Sequence, residues 1–173
     1  MNARIEQREA KLDEQCEIVA ALIVAARPSY GSATAKQRAL LETIIGAGIW
    51  YIPKPSGAWT GRISVGALRA FHPASGREKP RLSEEHVYPR KVTARLLLED
   101  AALTGPSLSL LFREKYGRVH LITPEENKTV QRFQRAGVFT SPEDAYSQAL
   151  IEFVGVTTDD LRKIKRRDAA TID

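Results

Sequence analysis

The strongest constraint on the fold is a short strand that runs directly into a helix start, at residues 119–127. Residues 119–122 (VHLI) alternate loosely between apolar and polar side chains, as in a short buried strand. Residues 123–126 (TPEE) combine an N-cap threonine, a proline suited to the first helical turn and two carboxylates that complement the positive end of the helix dipole. The pattern predicts a strand over 119–122 and a helix from there to about Ala136.

A second distinctive stretch, residues 82–91 (LSEEHVYPRK), lies earlier in the chain. It places a carboxylate, Glu85, directly before an imidazole, His86, and the following Pro89 fits the end of a strand. Adjacent side chains of a regular strand point to opposite faces, so Glu85 and His86 can share one phosphate only if the phosphate straddles the strand end. Residues 83–86 also fit a capped turn ahead of Pro89, with their acids complementing a helix dipole.

The rest of the chain is dominated by helical patterns. We expect a mostly helical α+β fold forming a single domain over residues 1–173, around a small hairpin-and-helix core. Residues 1–48 should hold the N-terminal helices. The first is expected to end before Pro28, since a helix rarely continues into a proline, and the second is expected to end at Gly46.

The core segment is expected over residues 49–140, with a helical insertion over 90–117 between its two strands. A short helix capped by Ser64 should precede the first strand. Residues 141–173 should form C-terminal helices, the first of which is expected to bury Leu150.

The charge of the chain favours an anionic partner. The net charge is +5 and the pI is near 9.5, and nucleic acid is the commonest anionic partner of an intracellular protein. Cations surround residues 82–91 and form a second cluster near the C-terminus: Arg62, Arg69, Arg77, Lys79, Arg81, Arg90, Lys91 and Arg95, then Lys163, Lys165, Arg166 and Arg167. The second cluster also fits a solvated helix end. Trp50 and Trp59 flank Lys54 and could stack on bases, but core positions are the favoured interpretation of both.

Neither a secretory signal nor a membrane span is expected. The N-terminus carries Glu6 and Glu9 rather than a basic start followed by an apolar stretch. The apolar run over residues 18–26 is too short to cross a bilayer. The single cysteine, Cys16, permits no internal disulfide and no ordinary zinc knuckle, and it fits a buried helix position. We therefore expect a cytoplasmic protein that does not bind membranes.

The two distinctive stretches together carry the parts of a phosphodiester-hydrolysing site. Such hydrolysis needs a base that activates water and a cation that takes up charge on the phosphate. His86 suits the first task, because an imidazole with an ordinary pKa near about 6.5 is largely neutral at pH 7. Glu85 and the Asn127 side-chain oxygen suit the second, because Mg²⁺ prefers hard oxygen ligands. Glu125 and Glu126 are equally available oxygen ligands.

The sequence EHVYP at residues 85–89, followed by a strand and a helix carrying Asn127, resembles the HNH endonuclease superfamily. The resemblance covers about residues 82–135. That family has a ββα-metal core with an acidic or histidine ligand directly before a catalytic histidine, and a histidine or asparagine ligand on the following helix. By this resemblance Glu85 and Asn127 bind the metal, and His86 is the general base.

The resemblance implies a DNA endonuclease that depends on Mg²⁺ or Mn²⁺, of the kind found in restriction, phage and mobile-element systems. Arg90, Lys91 and Arg118 are the expected phosphate contacts, and Arg118 stands near the place of the family's middle asparagine. We also expect a homodimer, because a two-fold pair cuts both strands most simply and the N-terminal helix offers an apolar face. The alternatives are a non-catalytic nucleic-acid- or protein-binding module with a basic surface, and a purely structural interaction protein.

Overall fold

The computed structural model describes residues 3–71, 81–136 and 139–162. In chain order its elements are α1 (Ala3–Ser32), α2 (Ala35–Trp50), β1 (Trp59–Ser64), α3 (Val65–Ala70), β2 (Ser83–His86), α4 (Arg90–Glu99), α5 (Gly105–Leu111), a π-helical turn (Phe112–Tyr116), β3 (Val119–Ile122), α6 (Pro124–Ala136), α7 (Pro142–Gln148) and β4 (Phe153–Gly155). The predicted mostly helical α+β fold is confirmed.

The chain groups into two compact units, each assembled from two stretches of sequence. The first unit comprises Met1–Ala58 and His86–Arg118, and the second comprises Trp59–Glu85 and Val119–Asp173. The chain therefore passes from one unit to the other three times, after Ala58, after Glu85 and after Arg118.

Part of the predicted basic surface lies outside the described residues, namely Arg77, Lys79, Lys163, Lys165, Arg166 and Arg167. Residues 158–162 are helical and form the described part of the last predicted helix. Within the described ranges, no helix is both long and apolar enough to cross a membrane.

α1 continues through Pro28 to Ser32, so the predicted end before Pro28 is wrong. The turn beyond the proline is held by Tyr30, which is 5% exposed and donates its hydroxyl to Glu42 Oε1 at 2.9 Å. The Ser32 hydroxyl donates to the Pro28 carbonyl at 3.3 Å. Burial of the tyrosine ring offsets the backbone hydrogen bond that a proline cannot donate.

α2 continues past Gly46 to Trp50, so the predicted end at Gly46 is wrong as well. Gly46 is buried, and a Cβ placed there would lie 3.5 Å from the carbonyl oxygen of Arg90 at the start of α4. A Cβ at that distance would make an ordinary van der Waals contact, so Gly46 lies where α2 packs against the start of α4 and not at a helix end.

The core of the first unit lies among α1, α2, α4 and α5. Its largest buried side chains include Leu12, Ile23, Leu97, Leu98 and Leu108. Cys16 is fully buried in this core, as predicted.

The sheet has the strand order β2-β3-β1-β4. β1 runs parallel to β3 and antiparallel to β4. β2 and β3 are neighbours, and α6 begins directly after β3, so the predicted strand over 119–122 and the helix that follows it are confirmed. Ser64 caps α3 through a hydrogen bond from the Ala67 N–H, also as predicted.

The chain after α7 differs from the prediction. Ser141 caps α7 as expected, but Leu150 is 90% exposed, so its predicted burial is wrong. Leu150 has a φ of 54°, and the N–H of Ile151 donates to the Tyr146 carbonyl at 2.9 Å. The chain reverses there and enters β4, where only helices were expected.

Candidate functional site

Glu85 is a buried carboxylate on β2. It is 7% exposed and accepts a hydrogen bond from Gln134 Nε2 of α6 at 2.9 Å. A buried carboxylate is costly unless it is hydrogen-bonded or bound to a cation. The contact shows that the side chain of Glu85 faces α6, the helix that carries Asn127.

Asn127 lies in the first turn of α6 and is half-buried. Its Oδ1 accepts a hydrogen bond from Gln131 Nε2 at 3.1 Å. Asn127, Gln131 and Gln134 follow the i, i+4, i+7 spacing and therefore share one side of α6. Glu85 contacts this face at Gln134. Gln134 lies about 10 Å farther along the helix axis than Asn127.

The donor chemistry of Glu85 and Asn127 fits a hard divalent cation. A carboxylate offers about four lone-pair sites and a carboxamide oxygen offers two, so either group can accept a hydrogen bond and also bind a cation. The amides of Gln131 and Gln134 on this side of α6 add two further hard oxygen donors. Among the described residues, no group of three or more His, Cys, Asp or Glu side chains could hold a metal ion. The predicted ligand pair contains only one residue of these types, Glu85.

The two acidic neighbours of Asn127 have different surroundings. Glu126 Oε2 accepts from the Thr123 N–H at 2.8 Å and from the Ser64 hydroxyl at 2.5 Å, so this carboxylate is engaged in capping α6. Glu125 is exposed. Sequence reasoning could not distinguish them as ligands, because only the fold brings Ser64 to Glu126.

His86, the predicted base, ends β2 and is half-buried. Burial, and then the positive charges of Arg90 and Lys54, lower the pKa of His86 from its ordinary 6.5 to about 4, while the Tyr116 backbone acts in the opposite direction. The ring is therefore neutral at pH 7, with one nitrogen as a proton acceptor.

The three predicted phosphate contacts belong to the first unit, as does His86. The Arg90 guanidinium lies over the indole ring of Trp50. Lys91 forms an ion pair with Glu42 at 3.8 Å but keeps 57% of its side chain exposed. Arg118 is half-buried.

The two tryptophans, Trp50 and Trp59, differ in how much of their side chains is exposed. Trp50 is 60% exposed, so the core interpretation is wrong for this residue, and its neighbour Tyr51 is 74% exposed. Trp59 is half-buried and donates its Nε1–H to the Arg62 carbonyl at 2.9 Å. The sequence signal for an exposed pair was the adjacency of Trp50 and Tyr51 just before Lys54, but tryptophan alone does not distinguish core from surface.

His120 on β3 is a buried histidine with structural contacts. It is 4% exposed, and its Nδ1 lies 2.6 Å from the Thr60 hydroxyl oxygen. Its ring centroid lies 4.7 Å from that of Phe153 and 5.4 Å from that of Tyr146. These contacts account for a buried imidazole without a catalytic role.

Comparison of the chain with protein-family models, with curated proteins and with solved structures finds no match.

Proposed function

We propose that this chain is a metal-dependent DNA endonuclease in which His86 is the general base and Glu85 and Asn127 hold one Mg²⁺ or Mn²⁺ ion. The observation that carries the proposal is the state of His86. Its imidazole is half-buried at the end of β2, and burial and the positive charges of Arg90 and Lys54 lower its pKa to about 4, so that it is neutral at pH 7. A general base for phosphodiester hydrolysis needs an unprotonated nitrogen, a fixed orientation and nearby positive charge for the phosphate.

The donor chemistry of the two predicted ligands is compatible with the same function, although the structure places Glu85 beside Gln134 rather than beside Asn127. Glu85 is directly bonded in sequence to His86, and its buried carboxylate faces the helix that carries Asn127. The bound ion would supply positive charge to the phosphate and to the leaving oxygen. Both ligands offer the hard oxygen atoms that Mg²⁺ and Mn²⁺ accept.

In this proposal His86 accepts a proton from water as the water oxygen forms its bond to phosphorus and the bond to the leaving oxygen breaks. The neutral imidazole keeps its proton on one ring nitrogen, and the other nitrogen is the acceptor. Arg90 and Lys54 attract the phosphate by their charge.

The test is cleavage of supercoiled plasmid and of DNA of broad sequence content, with Mg²⁺ or Mn²⁺ and with chelator. The wild-type protein should give nicked and linear products only with metal. His86→Ala should cut at least about 100-fold more slowly, the usual contribution of a positioned general base. Intact DNA in every wild-type reaction would refute the proposed endonuclease activity.

A matched pair of variants tests the metal ligand on α6. Asn127→Ala should weaken cutting and raise the metal concentration needed for half-maximal rate. Glu125→Ala alters an exposed neighbour on the same helical turn and should cut like wild type. Equal rates for both variants would remove Asn127 from the proposed site.

One observation favours the second candidate, a non-catalytic nucleic-acid-binding module. Gln134 already donates to Glu85 and Gln131 already donates to Asn127, so these oxygens are hydrogen-bonded without a metal. Such a module would lose salt-sensitive affinity for DNA when Arg90 is replaced, yet be indifferent to Glu85→Gln and His86→Ala.

A further inference from the structure

Two large aromatic side chains that follow each other in the chain are exposed at the end of α2. Trp50 is 60% exposed and Tyr51 is 74% exposed. Tyr51 is the C-cap residue of α2, where its backbone N–H donates to the Gly48 carbonyl at 3.0 Å. The backbone under both rings is therefore held by the helix. Adjacent exposed aromatic rings on a rigid element are typical of a binding surface.

The surroundings of these rings are cationic. The Arg90 guanidinium lies over the Trp50 indole. Lys54 lies close enough to Arg90 and Arg8 that burial, and then these two charges, lower the pKa of its ammonium group. Like charges gathered in this way repel one another, and a bound anion relieves the repulsion.

The packing of α2 against α4 keeps Arg90 at this position. Gly46 lies one helical turn before Trp50, and a Cβ added there would lie 3.5 Å from the Arg90 carbonyl oxygen. Arg90 begins α4, four residues after His86 at the end of β2, so the cation that lies over Trp50 is also close in the chain to the proposed base.

The combination of exposed aromatic rings and cations indicates which class of ligand this surface would bind. Nucleic-acid strands carry a phosphate and a π face in every nucleotide, and base–aromatic stacking tolerates any sequence. In a duplex the base faces are occupied by neighbouring base pairs, so Trp50 and Tyr51 can stack only on unpaired bases. An acidic peptide would satisfy the cations but would leave the rings in water.

We propose that Trp50 and Tyr51 form a stacking platform for the unpaired bases of a DNA strand, whose phosphates are held by Lys54 and Arg90. The inference rests on the proposed function for the identity of the nucleic acid as DNA, and it narrows that function. The substrate contains an unpaired stretch beside the phosphodiester bond that is attacked by the water from which His86 takes a proton.

The experiment measures binding without catalysis. A labelled mixed-sequence 20-nucleotide DNA strand and the duplex of the same sequence are titrated with the full chain in EDTA, at one salt concentration, and followed by fluorescence anisotropy. The wild-type protein should bind the single strand more tightly than the duplex. The double variant Trp50→Ala/Tyr51→Ala should lose about tenfold or more in affinity for the single strand and less than about threefold for the duplex.

Leu40→Ala is the matched control, because Leu40 lies on the same helix and is also 60% exposed. It should bind both DNAs like the wild type. The proposal is overturned if the double variant keeps the wild-type affinity for the single strand, or if it loses as much affinity for the duplex.

A second readout identifies the ring that meets the base. The chain has two tryptophans, so quenching by the unlabelled strand should persist in Trp59→Phe and disappear in Trp50→Phe. Quenching that disappears in Trp59→Phe instead would overturn the platform. Because these measurements contain no metal, they stand whether or not the protein cuts DNA, and a failed cleavage assay leaves their outcome unchanged.

Discussion

The Ser64 hydroxyl donates a 2.5 Å hydrogen bond to the Glu126 carboxylate and so joins the start of α3 to the first turn of α6. The same carboxylate oxygen accepts the Thr123 N–H at 2.8 Å, and Ser64 Oγ accepts the Ala67 N–H at 2.9 Å. Ser64 is fully buried. Two helix caps therefore depend on one contact between side chains, which fixes the helix that carries Asn127.

Glu126→Ala should lower the free energy of unfolding by about 1 to 3 kcal/mol, because it removes a cap and leaves the buried Ser64 hydroxyl without its acceptor. Urea denaturation at pH 7 measures the change. Glu125→Ala removes an exposed carboxylate from the same turn and should stay within about 0.5 kcal/mol of wild type. Equal losses for the two variants would show that the shared cap contributes nothing.

His86 should make the stability depend on pH. Its pKa is about 4 in the folded protein, against an ordinary value of 6.5, so the unfolded chain binds the additional proton as the pH falls from 6.5 to 4. Its neutral form stabilises the fold fully above about pH 6.5, and this contribution is lost towards pH 4, by about 3 kcal/mol at most. Urea denaturation of wild type and His86→Gln between pH 4.5 and 7 measures the effect. A constant difference between the two proteins over that range would contradict it.

Tyr146→Phe should raise the free energy of unfolding by about 1 kcal/mol, because the buried Tyr146 hydroxyl has no hydrogen-bond partner among the described residues. Tyr30→Phe is the matched control, since both tyrosines are 5% exposed but the Tyr30 hydroxyl donates to Glu42 at 2.9 Å. That variant should be destabilised by about 1 kcal/mol. Thermal denaturation ranks the three proteins, and a destabilised Tyr146→Phe would mean that the hydroxyl is satisfied.

Leu150→Gly should stabilise the protein by about 1 kcal/mol, because Leu150 has a φ of 54° and its side chain is 90% exposed. Glycine relieves the backbone strain and loses little packing. Leu150→Ala keeps the Cβ that causes the strain and should leave the midpoint of thermal denaturation nearly unchanged. A gain of the same size in the alanine variant would point to removal of the exposed leucine rather than to relief of strain.

The sequence predicted a helix start correctly where the residues that specify it lie within one helical turn of one another. The start of α6 follows from residues 123–126, because an N-cap, a first-turn proline and two acids act on neighbouring backbone groups. Ser64 and Ser141 could be identified as caps of α3 and α7 for the same reason. The residue types of the candidate site, Glu85 and His86, were also readable from sequence, since their chemistry does not depend on the fold.

Tertiary structure decided the rest, because distant residues outweighed local preferences. Pro28 does not end α1, since burial of Tyr30 stabilises the next turn, and Gly46 does not end α2, since it packs against the Arg90 backbone. The exposure of Trp50 and the pKa of His86 depend on which side chains and how much water surround them. Sequence determined which chemical groups the chain carries, and only the packing of helices and strands determined which of them are buried, charged or exposed, because burial and electrostatic interaction act between residues far apart in sequence.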